Sequence, residues 1–114
     1  MRIGIDYDGV ITANYAHYAQ LVRDLIRSNH EVYVITAANY KRFKEVTNDL
    51  IRSGIDCNLV GRPKDFISTP FNIGTWKKIQ LLKYDIDLWF DNEVKQYEQA
   101  GVDFSDIKTQ IVRI

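Results

Sequence analysis

The stretch RIGIDYDGVIT, residues 2–12, places Asp6 and Asp8 at the point where an apolar run ends. The segment 2–6 is short and rich in isoleucine, which predicts a first β-strand. Gly9 follows the two acids and allows the chain to turn away from the strand. Two negative charges beside a protein core are costly unless another group offsets them. This stretch therefore raises a question of function as well as of fold.

The rest of the chain alternates β-rich runs with amphipathic stripes. Apolar residues recur at helical spacing over 14–28 and again from Tyr40 to Ile51, which predicts two helices. A third helix is predicted from an N-cap at Thr75 to Tyr84, and a short fourth helix from a cap at Asn92. The predicted strands are residues 2–6, 31–36, 56–60, 87–91 and 109–114.

This alternation predicts an α/β fold. Strands that alternate with helices pair in parallel through right-handed crossovers, and strands that are apolar on both faces suit a sheet covered on both sides. We expect a Rossmann-like three-layer α/β/α sandwich with a five-stranded parallel sheet, and one domain over 1–114 because no linker or repeat interrupts the pattern. The one long irregular segment is 61–74, and such loops are often functional.

Composition excludes several classes of protein. The 114 residues are 46% hydrophobic and 26% charged, which is ordinary for a globular protein. Fifteen basic and fifteen acidic residues cancel, so no overall field draws the chain to nucleic acid or to a membrane. The sequence has neither a signal-peptide pattern nor an apolar run long enough to span a bilayer. With a single cysteine, Cys57, expected in a buried strand, the sequence fits a reducing cytoplasm.

Polar residues stand at the predicted carboxyl ends of three strands. Asp6 and Asp8 end the first, Thr36 ends the second and Asp91 ends the fourth. Ligands of parallel sheets bind at this edge. Three carboxylates brought together there would repel one another, and a hard cation that prefers oxygen ligands, Mg²⁺, would relieve that repulsion.

At this point the sequence resembles a known family. The segments DYDGVIT (6–12), VYVIT (32–36) and DLWFDN (87–92), with Lys77 between the last two, resemble the four ordered motifs of the haloacid dehalogenase superfamily of phosphohydrolases. Lys77 is the favoured motif lysine because it follows an aromatic residue near the start of a helix, and Lys78 stays an alternative. Asn92 follows Asp91 where the family often has a second acid, and Glu93 is the nearest further acid.

The resemblance implies a Mg²⁺-dependent phosphatase that forms an aspartyl-phosphate on Asp6. It implies that Asp8 is the general acid and base, through its side chain, and that Thr36 and the amide of Ala37 bind the phosphate. Lys77 would neutralise the reacting oxygens. The metal ligands would be Asp6, the backbone carbonyl of Asp8, and Asp91.

The short connections between strands predict that no cap module covers the site. We therefore expect either a bulky substrate, such as a phosphorylated sugar chain, a nucleic acid end or a phosphoprotein, or a homo-oligomer that closes the site over a small phosphate ester. The motif DYDGV is similar to that of some deoxyribonucleotidases. Two alternatives remain: a regulatory module that binds phosphate without turnover, and a receiver-type signalling domain. The latter would need an aspartate at the end of the third strand, where Val60 and Gly61 stand.

Overall fold

Strands and helices alternate along the chain, and the computed structural model describes all 114 residues. The strands are β1 (Arg2–Ile5), β2 (Glu31–Thr36), β3 (Asn58–Gly61), β4 (Leu88–Asp91) and β5 (Gln110–Arg113). The helices are α1 (Tyr15–Arg27), α2 (Tyr40–Arg52), α3 (Pro70–Lys83) and α4 (Val94–Gln99), with a single 3-10 turn at Ile11–Ala13. None of these helices has both the length and the apolar content that crossing a bilayer requires.

The five strands form one sheet in the order β3-β2-β1-β4-β5, and every neighbouring pair is parallel. β1 therefore lies in the middle. After β1 the chain adds β2 and then β3 on one side of it, and then crosses to the other side of β1, where β4 and β5 follow. In sheets of this kind the carboxyl ends of the strands at such a reversal border a crevice, and here those strands are β1 and β4.

Alternate residues of the strands face two separate cores, which confirms the predicted three-layer sandwich. Val32 and Val34 of β2 pack toward α1 and α2, whereas Tyr33 and Ile35 pack toward α3 and α4. This division follows from the two-residue repeat of a β-strand. Gly4 of β1 lies against Trp89, and a Cβ at Gly4 would be 2.7 Å from that ring. The glycine is therefore needed to seat the tryptophan in the second core.

The third helix begins earlier than the sequence pattern predicts. The N-cap is Thr69 and not Thr75, since the Thr69 hydroxyl accepts a hydrogen bond from the Asn72 amide at 3.2 Å and Pro70 occupies the first helical position. A threonine cap followed by proline is a strong start signal. The irregular loop is correspondingly shorter, residues 62–69.

Two smaller predictions also change. Glu93 precedes α4 in place of the predicted cap Asn92. Cys57 precedes β3 and is half-buried against the α1–α2 core, so it is not within a buried strand. The left-handed end expected at Asn29 after α1 is confirmed by its φ of 65°.

Candidate active site

An open crevice of about 310 Å³ lies at the carboxyl edge of the sheet. Five of the six residues predicted for the site line it: Asp6, Asp8, Thr36, Ala37 and Lys77. The sixth, Asp91, is fully buried at the end of β4 and does not line the crevice. The fold thus brings together residues that are up to 71 positions apart in the sequence.

Lys77 is the centre of a buried charge cluster. Its Nζ donates hydrogen bonds to Asp6 Oδ1, Asp91 Oδ2 and Tyr97 Oη, each at 3.0 Å, and only 3% of its side chain is exposed. Burial alone would lower the pKa of Lys77, but the charges of Asp6 and Asp91 outweigh burial and raise it. Lys77 is therefore a fixed positive charge in the site.

The neighbouring Lys78 points away from this cluster. Its Nζ pairs with Asp106 Oδ1 at 2.7 Å, and 64% of the Asp106 side chain is exposed. Of the two lysines that the sequence left open, Lys77 is the one that reaches the acids.

Both oxygens of the Asp91 carboxylate accept hydrogen bonds from other groups of the protein. Its Oδ2 accepts hydrogen bonds from Lys77 Nζ and from Trp89 Nε1, both at 3.0 Å, and its Oδ1 accepts one from the Glu93 amide at 2.8 Å. Asp91 therefore holds Lys77 in place and presents no free oxygen to the crevice. Asp91 and Asp6 both bind Lys77 Nζ, each at 3.0 Å, so this ammonium lies between the two predicted metal ligands.

Asp6 continues the line of β1 for one residue, since its amide donates to the Phe90 carbonyl at 2.9 Å. Only 6% of its side chain is exposed. Burial raises the pKa of Asp6 to about 7, although the charge of Lys77 opposes the shift. One carboxylate oxygen binds Lys77, and the other faces Asn92.

Two polar groups, the Asn92 side-chain amide and the Asp8 carbonyl, converge beside the Asp6 carboxylate. One atom of the Asn92 side-chain amide lies 3.2 Å from Asp6 Oδ2 and 3.2 Å from the carbonyl oxygen of Asp8. If that atom is the amide nitrogen, it donates to both oxygens. If it is the amide oxygen, three oxygens meet with no proton between them. Gly9 makes room for this amide, because a Cβ there would lie 2.1 Å from Asn92 Nδ2, and its φ is +81°.

With the Asn92 amide oxygen in this position, the three oxygens would fit a small divalent cation. Ligands of Mg²⁺ lie about 2.1 Å from the ion in octahedral geometry, which puts adjacent oxygens about 3 Å apart. No group of three or more His, Cys, Asp or Glu side chains is placed to hold a metal ion. The candidate set here has one such side chain, Asp6, and takes its other oxygens from the Asp8 backbone and the Asn92 amide.

The Asp8 carboxylate lies at the mouth of the crevice and is half-exposed, and it forms an ion pair with Arg42 on the first turn of α2. Asn39 caps that turn by accepting a hydrogen bond from the Arg42 amide at 2.9 Å. The sequence analysis did not identify Arg42. No local pattern marks it, because its partner is 34 residues away.

Thr36 ends β2 inside the crevice and is almost fully buried. Its hydroxyl oxygen accepts a hydrogen bond from the Ala38 amide at 3.2 Å, and the hydroxyl donates none within the chain. Its hydrogen is therefore available to an anion, beside the backbone at the start of α2, where a helix favours negative charge.

Tyr97 and Glu93 complete the site; the sequence had indicated Glu93 only as the nearest further acid, and Tyr97 was not predicted. Tyr97 Oη lies 3.0 Å from Lys77 Nζ and donates to Glu93 Oε2 at 3.1 Å. Burial raises the pKa of Tyr97. Glu93 caps α4 and Tyr97 lies four positions later on the helix, so the helical repeat was the available signal.

Comparisons with known proteins support the fold. No model of a known protein family matches the chain, and no curated protein does. A solved chain from the Pnkp1/Rnl/Hen1 RNA repair complex has the same fold, with a TM-score of 0.72 and 13% sequence identity. The match covers 99% of this chain and 42% of that one. At this identity the likeness concerns the fold alone.

Proposed function

We propose that this chain is a Mg²⁺-dependent phosphohydrolase of the haloacid dehalogenase type, acting through Asp6. The observation that carries the proposal is the convergence of a buried carboxylate, Asp6, with a fixed ammonium, Lys77, and a second acid, Asp8, in one open crevice. A free Thr36 hydroxyl lies in the same crevice, so a nucleophile, an acid and anion-binding groups occur together.

In the first step the Asp6 carboxylate attacks the phosphorus, and the bond from phosphorus to the ester oxygen breaks. The leaving oxygen takes a proton from Asp8. In the second step a water molecule gives a proton to Asp8 and attacks the phosphorus, which releases phosphate and regenerates Asp6. Gly9, with its φ of +81°, turns the chain so that Asp8 stands at the mouth, on the leaving-group side.

Two groups stabilise the charge that develops on the transferring oxygens. Lys77 would act through its charge, because its three N–H donors are already bonded to Asp6, Asp91 and Tyr97. Thr36 donates its hydroxyl hydrogen to a phosphate oxygen. Preorganised groups of this kind typically contribute a factor of about 10²–10³ each to the rate.

Asp6, the Asp8 carbonyl and Asn92 would hold the Mg²⁺. The ion offsets the repulsion between an anionic nucleophile and an anionic phosphate. The geometry favours Asn92 over the predicted ligand Asp91, whose oxygens are already bonded to Lys77, Trp89 and the Glu93 amide.

One observation favours a second candidate, a phosphate-binding module without turnover. With the Asn92 nitrogen turned toward Asp6 and the Asp8 carbonyl, both oxygens are satisfied within the chain and need no cation. Asp8 is also held in an ion pair with Arg42. Such a site would bind an anion through the Thr36 hydroxyl and the positive charge of Lys77.

The test is phosphate release from a generic aryl phosphate, from nucleotides and from phosphorylated oligonucleotides, with Mg²⁺ or with EDTA. The similar solved chain belongs to an RNA repair complex, which is why nucleic acid ends belong in the panel. Release that requires Mg²⁺, is lost in Asp6→Asn and persists in the surface control Asp106→Asn supports the enzyme.

Absence of release from every substrate contradicts the enzyme. In that case, phosphate that binds to the wild type but not to Lys77→Met supports the binding module. Release that persists in Asp6→Asn would also contradict the proposed nucleophile.

A further inference from the structure

A second groove opens beside the catalytic crevice and shares a wall with it. The groove has a volume of about 430 Å³, which is within the range of small-molecule sites. Ala38 and Arg62 line both spaces. The other residues of the groove are Tyr40, Phe43, Gly61 and Lys64. A substrate that fills the crevice can therefore extend directly into the groove.

The groove is positively charged although the chain as a whole is neutral. Arg62 and Lys64 line it, and no acid does. On the crevice side of the shared wall Arg42 is already paired with Asp8. Arg62 makes one side-chain hydrogen bond, to the Phe66 carbonyl at 3.0 Å, and its buried Nε has no partner. This end of the site is therefore suited to negative charge beyond a single phosphate.

Aromatic rings form the apolar part of the groove. Tyr40 and Phe43 lie three residues apart on α2 and so share one face of the helix. Gly61 leaves space for the Phe43 ring, since a Cβ on Gly61 would be 2.5 Å from it. Tyr40 is 67% exposed, and Lys44 Nζ lies 5.1 Å from its ring centre. An exposed aromatic ring of this kind can stack a nucleic acid base.

Proteins that bind single-stranded nucleic acid combine a positively charged groove along the phosphate backbone with exposed aromatic rings that stack the bases. We propose that the groove binds the nucleotide next to the terminal phosphate of a single-stranded nucleic acid end. The terminal phosphate lies at Asp6, the adjacent phosphodiester at Arg62 and Lys64, and a base on Tyr40. This inference rests on the proposed function, because it names the substrate class of the same site.

The lining argues against the other bulky substrates considered. A neutral sugar chain carries no negative charge to match Arg62 and Lys64. A phosphoprotein carries no regular second phosphate next to the first. A nucleic acid end has both a flat base and a repeating negative charge.

The first measurement is the binding of single-stranded oligonucleotides of about six nucleotides, with a phosphate at the 3′ or the 5′ end. All proteins carry Asp6→Asn, so that no turnover occurs during the titration. Fluorescence anisotropy compares Asp6→Asn alone with Asp6→Asn combined with Tyr40→Ala, with Lys64→Ala, or with the control Lys83→Ala. Lys83 is the last residue of α3 and does not line the groove. We expect Tyr40→Ala to weaken binding about tenfold or more, since base stacking on one ring is worth that much.

The variant Lys64→Ala should weaken binding and also reduce its salt dependence, because one fewer phosphate is neutralised. Lys83→Ala should do neither. The second measurement uses proteins with Asp6 intact and compares turnover of the phosphorylated oligonucleotide with that of β-glycerol phosphate, which has neither ring nor second phosphate. We expect Tyr40→Ala to lower the ratio of the two rates about tenfold.

The outcomes separate this inference from the proposed function. Oligonucleotide binding that depends on Tyr40 and Lys64, without hydrolysis of any ester, supports the groove and contradicts the phosphatase. Suppose that the protein hydrolyses β-glycerol phosphate but binds no oligonucleotide, or that Tyr40→Ala and Lys64→Ala weaken oligonucleotide binding no more than Lys83→Ala does. Either result contradicts nucleotide binding in the groove and leaves the proposed phosphatase activity standing. Turnover of a phosphopeptide in preference to every oligonucleotide also contradicts nucleotide binding in the groove.

Discussion

Replacing Lys77 with methionine would leave two buried carboxylates without their counter-charge. The methionine side chain is close in length to that of lysine, so the change removes the ammonium with little loss of volume. Lys77 Nζ is 3.0 Å from both Asp6 Oδ1 and Asp91 Oδ2, and these two side chains are 6% and 0% exposed. Water therefore cannot replace the lost charge.

Removing one partner of a buried ion pair typically costs about 3–5 kcal/mol. A domain of this size has a free energy of unfolding of about 5–15 kcal/mol. We expect Lys77→Met to remain folded at room temperature but with much of its stability lost. With a urea dependence of about 2 kcal/mol per M, the unfolding midpoint should fall by about 2 M.

Lys78→Met is the matched control. It removes the same charge from the next residue of α3, but its ion pair with Asp106 is at the surface. Exposed pairs contribute about 0–1 kcal/mol, so the midpoint should move by less than about 0.5 M. Urea titrations followed by tryptophan fluorescence and by circular dichroism measure both variants, and agreement of the two probes tests for a two-state transition.

A second substitution shows whether the unpaired buried carboxylates cause the loss of stability in Lys77→Met. Adding Asp91→Asn to Lys77→Met removes one of the two carboxylates, so the double variant should be more stable than Lys77→Met alone. The same substitution in the wild type should be destabilising, because Lys77 loses a partner. A loss in Lys77→Met no larger than that in Lys78→Met, or the lack of any recovery in the double variant, would refute the electrostatic account of this cluster.

Three further predictions follow from single contacts. Gly4→Ala places a Cβ 2.7 Å from the Trp89 ring, so overpacking should cost about 1–3 kcal/mol in urea unfolding. Burial raises the pKa of the Cys57 thiol to about 11 from 9.0; at about pH 8 the folded protein should react with a disulfide reagent about a hundredfold more slowly than the unfolded chain. Because the folded pKa is the higher one, stability should also fall as the pH rises from about 9 to 11. Asn92→Ala should weaken Mg²⁺ binding about tenfold or more, measured as the metal-dependent shift in melting temperature, with no comparable change in Asp106→Asn.

Much of the fold could be predicted because its signals are local. Apolar residues repeat at one spacing in the strands and at another in the helices. This pattern shows where β1 and β2 end, and so locates Asp6 and Thr36 without any knowledge of tertiary contacts. The start of α3 was predicted too late, although Thr69 and Pro70 gave the start signal. The segment from Pro70 is less clearly amphipathic than α1 or α2, since Gly74 and Trp76 pack against the short helix α4 and the loop that precedes α3.

The site was harder to predict, because residue type is a weaker guide than side-chain direction. Asp91 was favoured as a metal ligand since it is an acid at the end of a strand. Alternate residues of a strand share a face, so Asp91 points with Trp89 into the α3–α4 core, where it meets Lys77. Asn92, the next residue, turns toward Asp6. Arg42 carries no local signal, because it meets Asp8 across the tertiary fold. The spacing of Tyr97 from Glu93 gives no indication of the contact between Tyr97 and Lys77.

Asp91 binds Lys77 and Asn92 faces Asp6, and there is an electrostatic reason why the second residue is an amide and not an acid. With both acids ionised, Asp6 and Asp91 together carry two negative charges and Lys77 one positive charge, which leaves a net charge of −1 in the buried cluster. An aspartate at position 92 would bring a further charge within about 3 Å of Asp6 and raise the cost of keeping Asp6 ionised. Asn92 puts an uncharged amide at the same place. The neutral amide therefore keeps Asp6, the proposed nucleophile, easier to ionise, and a cation bound here would be held less tightly than by two carboxylates.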